Sequence, residues 1–132
     1  MNEVALLAKL LFSEAYKRNI EGAVKDATAI AHVVKNRMAK RNQTLEQTIY
    51  EPFQFSGVGS SEWQKIENQK LTQQEENIYK KFLQVSYGVL KGDISDPTGG
   101  ANYFFNPKLA NPSWAKKMKK SYKTEGHNYY IE

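Results

Sequence analysis

Hydrophobic residues near the N-terminus recur at helical spacing. Val4, Leu7 and Leu11 lie three and four positions apart, which predicts an amphipathic helix with one buried face. The next position on that stripe is Glu14. A carboxyl group on a burying face loses hydration, which raises its pKa, and a Glu that stays protonated near neutral pH can act as a general acid. The alternative is a helix-end Glu that bends into water or pairs with an Arg.

A second helical pattern covers residues 23–39, AVKDATAIAHVVKNRMA, after Gly22. Its apolar stripe consists of Val24, Ala27, Ala31, Val34 and Met38. His32 falls on the opposite, polar side of this helix. We therefore expect His32 to be a solvated surface residue.

Capping signals predict further helices in the middle of the chain. Thr44 with Gln47 fits a capping box and opens a short helix that Pro52 stops. Ser61 is placed to cap another short helix. The glycine- and serine-containing loop between them, residues 53–61, is long and polar enough to line a cleft.

A longer helix is predicted after the capping box formed by Thr72 and Glu75. Gly92 is a suitable residue to end it. Its apolar stripe consists of Ile78, Phe82, Val85 and Val89.

The C-terminal third mixes extended and helical signals. ANYFFNP, residues 101–107, is typical of a short extended segment, and Asn111 with Pro112 indicates the start of a helix. That helix is expected to carry Trp114 and a run of lysines. Residues 121–132 predict two short strands around Glu125 and Gly126. The chain length suits one domain over residues 1–132.

Composition limits the chemistry. The chain has 132 residues, a net charge of +5 and no cysteine, so disulfides, thiolate metal sites and cysteine nucleophiles are excluded. The two histidines, His32 and His127, are far apart in the sequence, and no metal or organic cofactor is predicted.

The charge of the chain bears on its partners. A pI of about 9.3 favours a polyanionic partner. Lysines 116, 117, 119, 120 and 123 form a basic cluster that is either a solvated helix face or a means of steering the protein to an anionic surface.

The segment GGANYFFNP, residues 99–107, combines amides with aromatic rings. Asn102 and Asn106 lie among three aromatic residues, after two glycines that allow a close backbone approach. Amides bind sugar hydroxyl and acetamido groups, and aromatic rings cover the apolar faces of sugars. The segment therefore fits a polysaccharide cleft, although an edge strand with core aromatics is the simpler interpretation.

Four blocks in order resemble the SleB-type cell wall hydrolase family of spore-cortex-lytic enzymes. They are LLFSEAYKRNIEG with AIAHVVKNR, then FQFS at residues 53–56, then DPTGGANYFFNP at residues 96–107, and finally GHNYYI. The resemblance covers residues 10–131. It implies a compact, lysozyme-like fold of the α+β class, mainly α, with a small antiparallel sheet. It also implies an enzyme that cleaves peptidoglycan glycan strands.

The family's catalytic glutamate matches Glu14. The resemblance implies a lytic transglycosylase that cleaves the MurNAc–GlcNAc β-1,4 bond with one carboxyl group and forms 1,6-anhydro-MurNAc ends. Candidate substrate-binding residues are Gln54, Ser56, Tyr103, Asn106 and His127. No metal or other cofactor is expected.

Two alternatives stay open from the sequence. A muramidase would use water and a second carboxylate, for which Asp96 and Glu21 are the candidates. A non-catalytic module would bind cell wall or nucleic acid without shortening it, and Glu14 would then be replaceable.

The expected partners are peptidoglycan glycan strands, with no nucleic acid, no stable membrane insertion and a monomeric state. No segment is long enough to span a bilayer, and the N-terminus is a poor signal peptide because Glu3 and Lys9 flank and interrupt its apolar run. A bacteriolytic phage endolysin, released through a holin or carried in the virion, is therefore expected. An otherwise secreted enzyme is the alternative.

Overall fold

Five α-helices and a three-stranded sheet form the structure, a computed structural model that describes residues 2–16, 19–52 and 54–132. The elements are α1 (Glu3–Ala15), α2 (Ile20–Arg41), α3 (Leu45–Tyr50), α4 (Ser61–Glu67), α5 (Gln73–Lys91), β1 (Tyr103–Phe105), a 3₁₀ turn (Ser113–Lys117), β2 (Lys119–Lys123) and β3 (Asn128–Ile131). The prediction of a mainly helical α+β fold with a small antiparallel sheet is confirmed.

Helix α1 lies at the centre of the helical part and packs against α2, α3, α4 and α5. It begins where the side chain of Asn2 accepts a hydrogen bond from the Val4 amide, at 2.7 Å. Leu7 and Leu11 of the predicted stripe are fully buried, but so is Phe12 on another side of the helix. The helix therefore has no polar face, because other helices surround it.

One cation is buried within α1. Lys9 is only 3% exposed, yet its Nζ lies 3.1 Å from Glu67 Oε1 and 4.3 Å from the centre of the Trp63 ring. These contacts, both on α4, compensate the ammonium group for lost hydration. The sequence favours an end of this helix near Lys17 to Asn19. Lys17 and Arg18 lie outside the described residues, and helix α1 ends at Ala15.

Helix α2 begins three residues earlier than predicted, because the Asn19 side chain caps it by accepting from the Gly22 amide. The expectation that His32 is a solvated surface residue is wrong, since His32 is 5% exposed. Helix α5 and the chain after it, near Ile94, cover this side of α2. Burial lowers the pKa of His32, which favours its neutral form. None of the helices in the described ranges is both long and apolar enough to cross a membrane.

The predicted capping signals hold with one shift. The boxes Thr44–Gln47 and Thr72–Glu75 are both formed, but α4 is capped by Ser60 and not by Ser61. Gly92 ends α5 in the left-handed conformation, with φ of 88°.

The antiparallel sheet has the order β1–β3–β2. The helix predicted from Asn111 and Pro112 is wrong beyond one 3₁₀ turn, because Lys119–Lys123 forms strand β2 and pairs with β3. Pairing with β3 supplies backbone hydrogen bonds that outweigh the helical preference of this lysine run. The strand predicted between residue 121 and Glu125 is confirmed, with a start two residues earlier. Strand β2 is an edge strand, and exposed lysines on an edge discourage pairing with another chain.

Replacing Phe12 with Ala tests the central position of α1. The Phe12 ring is fully buried and meets the rings of Tyr16, Tyr79 and Phe82 at centroid distances of 4.9, 6.2 and 6.5 Å. We expect the free energy of unfolding in urea to fall by about 3–5 kcal/mol, because a large cavity opens in the core. Tyr87→Ala, on the exposed side of α5, is the control and should change it by less than about 1 kcal/mol.

Candidate active site

A cleft of about 320 Å³ lies between the end of α1, the loop after α3 and the sheet. Its described lining residues are Ser13, Glu14, Gln54, Ser56, Phe104, Phe105, Asn106, Leu109, Ala110 and His127. The structure thus brings together five of the six residues singled out from the sequence: Glu14, Gln54, Ser56, Asn106 and His127. The cleft volume is at the lower end of the range for ligand-binding pockets.

Glu14 is the second-last residue of α1, where this surrounded helix reaches the cleft. Burial raises the pKa of its carboxyl group; hydrogen bonds from Ser56 and from the Gly57 backbone, and the charge of His127, oppose this rise. The Ser56 hydroxyl donates to Glu14 Oε1 at 3.1 Å. The partial negative charge at the C-terminal end of α1 also disfavours an ionised Glu14. The acid form of this carboxyl group is therefore more favoured than in a solvated Glu, and donors are in place for its ionised form.

Gly57 lets the loop approach Glu14. A Cβ atom at this position would lie 2.7 Å from Glu14 Oε1 and 2.8 Å from Ser13 Cβ, closer than real Cβ contacts allow. From the sequence, Gly57 was one of the glycines of this loop and had no assigned role. In the structure the missing side chain makes room for the carboxyl group.

Arg37, on α2, connects the loop after α3 to the chain that leads into the sheet. This residue is 3% exposed, and its Nε and Nη2 donate to the Asn102 carbonyl oxygen at 2.9 and 2.7 Å. Its Nη1 donates to Gln54 Oε1 at 3.5 Å, and its guanidinium lies 4.7 Å from the centre of the Phe55 ring. Burial lowers the pKa of Arg37 to about 10, which leaves it charged at neutral pH. Phe53, the first residue of the FQFS block, lies outside the described residues.

The sequence analysis gave Arg37 no role. The sequence feature that could have indicated such a role is a cation on the buried side of α2, four residues after Val33, which is fully buried. A charged residue at such a position needs partners from elsewhere in the fold.

Tyr103 is placed apart from the other candidates. Its ring packs against Trp114 at a centroid distance of 5.1 Å, and its hydroxyl accepts from Arg41 Nη2 at 2.5 Å. Tyr103 is not among the described residues that line the cleft. A substrate contact for Tyr103 stays a prediction, and its placement gives that prediction no support.

The two candidates for a second carboxylate also lie away from the cleft lining. Asp96 accepts hydrogen bonds from the Thr98 amide and hydroxyl at 2.8 and 2.7 Å, and from Asn36 at 2.9 Å. Glu21 is exposed in the first turn of α2. Both positions are typical of structural roles, a turn cap for Asp96 and a helix start for Glu21.

His127 brings a second ionisable group to the cleft. Its Nδ1 lies 2.8 Å from Oδ2 of Asp26, a fully buried residue of α2. No role was assigned to Asp26 from the sequence. The available signal was its helical spacing from Ala23, Ile30 and Val33, which puts a carboxylate on an apolar side of α2.

Comparison with known proteins identifies the family. The model of the family described as Cell Wall Hydrolase matches residues 15–130. Its match begins one residue after Glu14, so it does not itself assign a role to that residue. The predicted resemblance to SleB-type hydrolases is confirmed.

Curated relatives include spore cortex-lytic enzymes. The one from Halalkalibacterium halodurans is 28% identical over 115 residues, which are 86% of this chain and 30% of that protein. The one from Bacillus cereus is 29% identical over 115 residues, 86% of this chain and 38% of that protein. The chain thus spans about a third of the length of these relatives.

Solved structures with the same fold include two catalytic domains. The catalytic domain of the germination-specific lytic transglycosylase SleB from Bacillus anthracis superposes with a TM-score of 0.64 at 22% identity, over 98% of this chain and 94% of that one. The catalytic domain of SleB from Bacillus cereus gives a TM-score of 0.63 at 25% identity, over 97% of this chain and 88% of that one.

Glu14→Gln is expected to stabilise the fold at neutral pH. The pKa of Glu14 is raised above its ordinary value of 4.5, so the ionised side chain costs stability at pH values above 4.5. A neutral Gln removes that cost, and we expect Tm at pH 7 to rise by about 2–5 °C. The difference should disappear in acid, where Glu14 is protonated in both states.

The matched control is Glu125→Gln, which removes the same charge from an exposed site. Thermal unfolding followed by circular dichroism at several pH values measures both variants. A Glu14→Gln variant that is less stable than wild type at pH 7 would show that the ionised carboxylate is well compensated in the cleft.

Proposed function

This chain belongs to the cell wall hydrolase family, and we propose that it degrades peptidoglycan by cleaving the MurNAc–GlcNAc β-1,4 glycosidic bond as a lytic transglycosylase. Glu14 acts in turn as the acid and the base. The spore cortex-lytic enzymes and the SleB domains support the reaction class, because this chain shares their sequence or their fold. Gln54, Ser56, Asn106 and His127 bind the substrate around Glu14.

One observation carries the proposal: Glu14 supplies the single carboxyl group among the described residues of the cleft lining. Glycosidases that use water or a covalent intermediate ordinarily need two carboxyl groups across the scissile bond. Asp96 and Glu21, the residues that could have supplied the second, are engaged or exposed elsewhere. A mechanism in which one carboxyl group performs both proton transfers fits this cleft better.

The surroundings of Glu14 suit those two successive roles. Burial and the helix end favour the protonated form, which is the acid needed first. The Ser56 hydroxyl and the Gly57 amide then stabilise the carboxylate that remains. Opposing influences of this kind keep a carboxyl group ready to give up a proton and to accept one near working pH.

In the proposed reaction Glu14 first protonates the bridging oxygen, and the bond from that oxygen to the muramyl C1 breaks. The GlcNAc part leaves with a hydroxyl group. The Glu14 carboxylate then removes the proton from the muramyl C6 hydroxyl, whose oxygen forms a bond to C1. The product carries a 1,6-anhydro-MurNAc end, and no water is consumed.

The cleft walls supply the groups that a charged sugar intermediate requires. Gln54 is held by Arg37, and Asn106 lies opposite on the sheet side, so polar groups flank Glu14 on both walls. Their dipoles, together with the acetamido group of the substrate, stabilise the positive charge that develops at C1. Phe104 and Phe105 offer apolar surface for a sugar face.

Glu14→Gln should abolish cleavage of purified peptidoglycan. General acid catalysis is worth about 10²–10⁴-fold, and here the same residue also provides the base, so the loss should be at least of that order. Release of soluble fragments from peptidoglycan measures the effect. Glu125→Gln, exposed and outside the cleft, is the control and should retain wild-type activity. Near wild-type activity of the Glu14 variant would remove Glu14 from the mechanism.

Mass spectrometry of the soluble products should show 1,6-anhydro-muropeptides. The C6 hydroxyl replaces water as the nucleophile, so each product end is lighter by one water than a hydrolysed end. Reducing MurNAc ends would instead indicate a muramidase and direct the search to a second group, His127 before the distant Asp96. Binding without any glycan cleavage would leave a cell-wall-binding module.

A further inference from the structure

A buried carboxylate lies directly behind the cleft wall. Asp26 is fully buried in α2, and its Oδ1 accepts from the Thr124 hydroxyl at 2.6 Å and from the Tyr129 hydroxyl. Its Oδ2 lies 2.8 Å from His127 Nδ1. Burial alone would raise the pKa of Asp26, but hydrogen bonds and charge from His127, with the donors Thr124 and Tyr129, lower it to about 2. Asp26 is therefore ionised at neutral pH and acts as an acceptor.

The contacts of His127 fix both its backbone and its ring. Its amide donates to the Thr124 hydroxyl oxygen at 3.1 Å, and its carbonyl oxygen accepts from the Thr124 amide at 2.9 Å. The ring packs nearly perpendicular to the Phe104 ring, with a centroid distance of 5.2 Å and an interplanar angle of 81°. The ring is thus held between Asp26 and Phe104, while the residue lines the cleft that contains Glu14.

An ionised Asp26 determines which ring nitrogen carries the proton. A neutral imidazole has one N–H donor and one acceptor nitrogen, and a carboxylate beside Nδ1 requires the proton there. Nε2 then carries the lone pair and is the polar ring atom left to face the cleft. Sugars present hydroxyl groups, which can donate to such an acceptor.

We propose that Asp26 is a positioning residue for the reaction, holding the His127 ring with Nδ1 protonated so that Nε2 accepts a hydrogen bond from a sugar hydroxyl bound beside Glu14. This inference rests on the proposed function, because the sugar is the proposed substrate. It also gives the Asp26–His127 pair a role in a cleft whose described lining residues include one carboxyl group. Thr124 and Tyr129 serve the same arrangement indirectly, because they hold Asp26 in place.

Asp26→Asn tests the proposal with almost no change in shape. The Asn oxygen can still accept from Thr124 and Tyr129, which places the amide NH₂ group against His127 Nδ1. Nδ1 must then accept, and the proton moves to Nε2, so the cleft-side nitrogen changes from acceptor to donor. The matched control is Tyr129→Phe, which removes one donor to Asp26 but leaves its carboxylate against Nδ1.

The tautomer can be measured directly by NMR of the full chain labelled with ¹⁵N-histidine. The chain has two histidines, so the ring spectrum contains two sets of signals, and His32→Gln assigns them. We expect the neutral His127 ring to be Nδ1-protonated in wild type and in Tyr129→Phe, and Nε2-protonated in Asp26→Asn. An Nε2-protonated ring in wild type would overturn the proposal, and so would an unchanged tautomer in Asp26→Asn.

Activity provides the second measurement. In Asp26→Asn we expect kcat on peptidoglycan to fall about 10- to 100-fold with a smaller change in KM, the size of effect expected from one lost hydrogen bond in the transition state. A reversed tautomer with unchanged kcat would show that Nε2 does not contact the reacting sugar and would overturn the proposal.

Should circular dichroism show that Asp26→Asn does not fold, the wild-type tautomer and the activity of His127→Gln decide. A folded His127→Gln variant with wild-type kcat would overturn the proposal.

Failure of the proposed function is distinguishable from failure of this inference. A wild-type chain that does not cleave peptidoglycan, or an active Glu14→Gln variant, contradicts the proposed function. The NMR measurement still establishes in that case whether Asp26 sets the His127 tautomer, while the proposed sugar contact falls with the function. Conversely, an inactive Glu14→Gln with a fully active, tautomer-reversed Asp26→Asn overturns this inference alone.

Discussion

The structure depends on the burial of α1 from all sides. Four helices pack around α1, and even its lysine is 3% exposed and satisfied by Glu67 and Trp63 on α4. A helix enclosed in this way is fixed in position and in rotation about its axis, because any movement would open cavities in a close-packed core. Its last turn reaches the cleft, so the position of Glu14 is set by the packing of the whole helical part.

The loop after α3 lies close against the Glu14 carboxyl group. Gly57 removes the side chain that would collide with Glu14, and Ser56 supplies a hydrogen bond to it. Arg37 holds the same loop from α2 through Gln54 and Phe55. The cleft is therefore built from three separate stretches of chain, each tied to the helical core by contacts that do not depend on substrate.

Two buried charged residues behind the cleft hold residues of its walls in position. Arg37 and Asp26 are both buried residues of α2, the first holding Gln54 and the carbonyl of Asn102, the second holding His127. Buried charges are costly unless hydrogen bonds or opposite charges compensate them. Arg37 is compensated by neutral hydrogen-bond acceptors, and Asp26 by hydrogen-bond donors and the His127 ring. Helix α2 thus supports the loop wall and the sheet wall of the cleft at once, while α1 carries the carboxyl group between them.

Local patterns in the sequence determined the helices, their capping boxes and the apolar stripes, because these depend on residues within one or two turns. They also indicated Glu14, as a carboxyl group that continues a buried stripe. The pairing of Asp26 with His127 joins positions 101 residues apart, and local spacing carries no information on such a contact. For the same reason the burial of His32 and the first two residues of strand β2 were missed, since packing by α5 and pairing with β3 decided them. The sequence thus placed Glu14 at the end of a buried stripe, and the tertiary structure decided which groups surround it, because burial and long-range hydrogen bonds arise only when distant segments pack together.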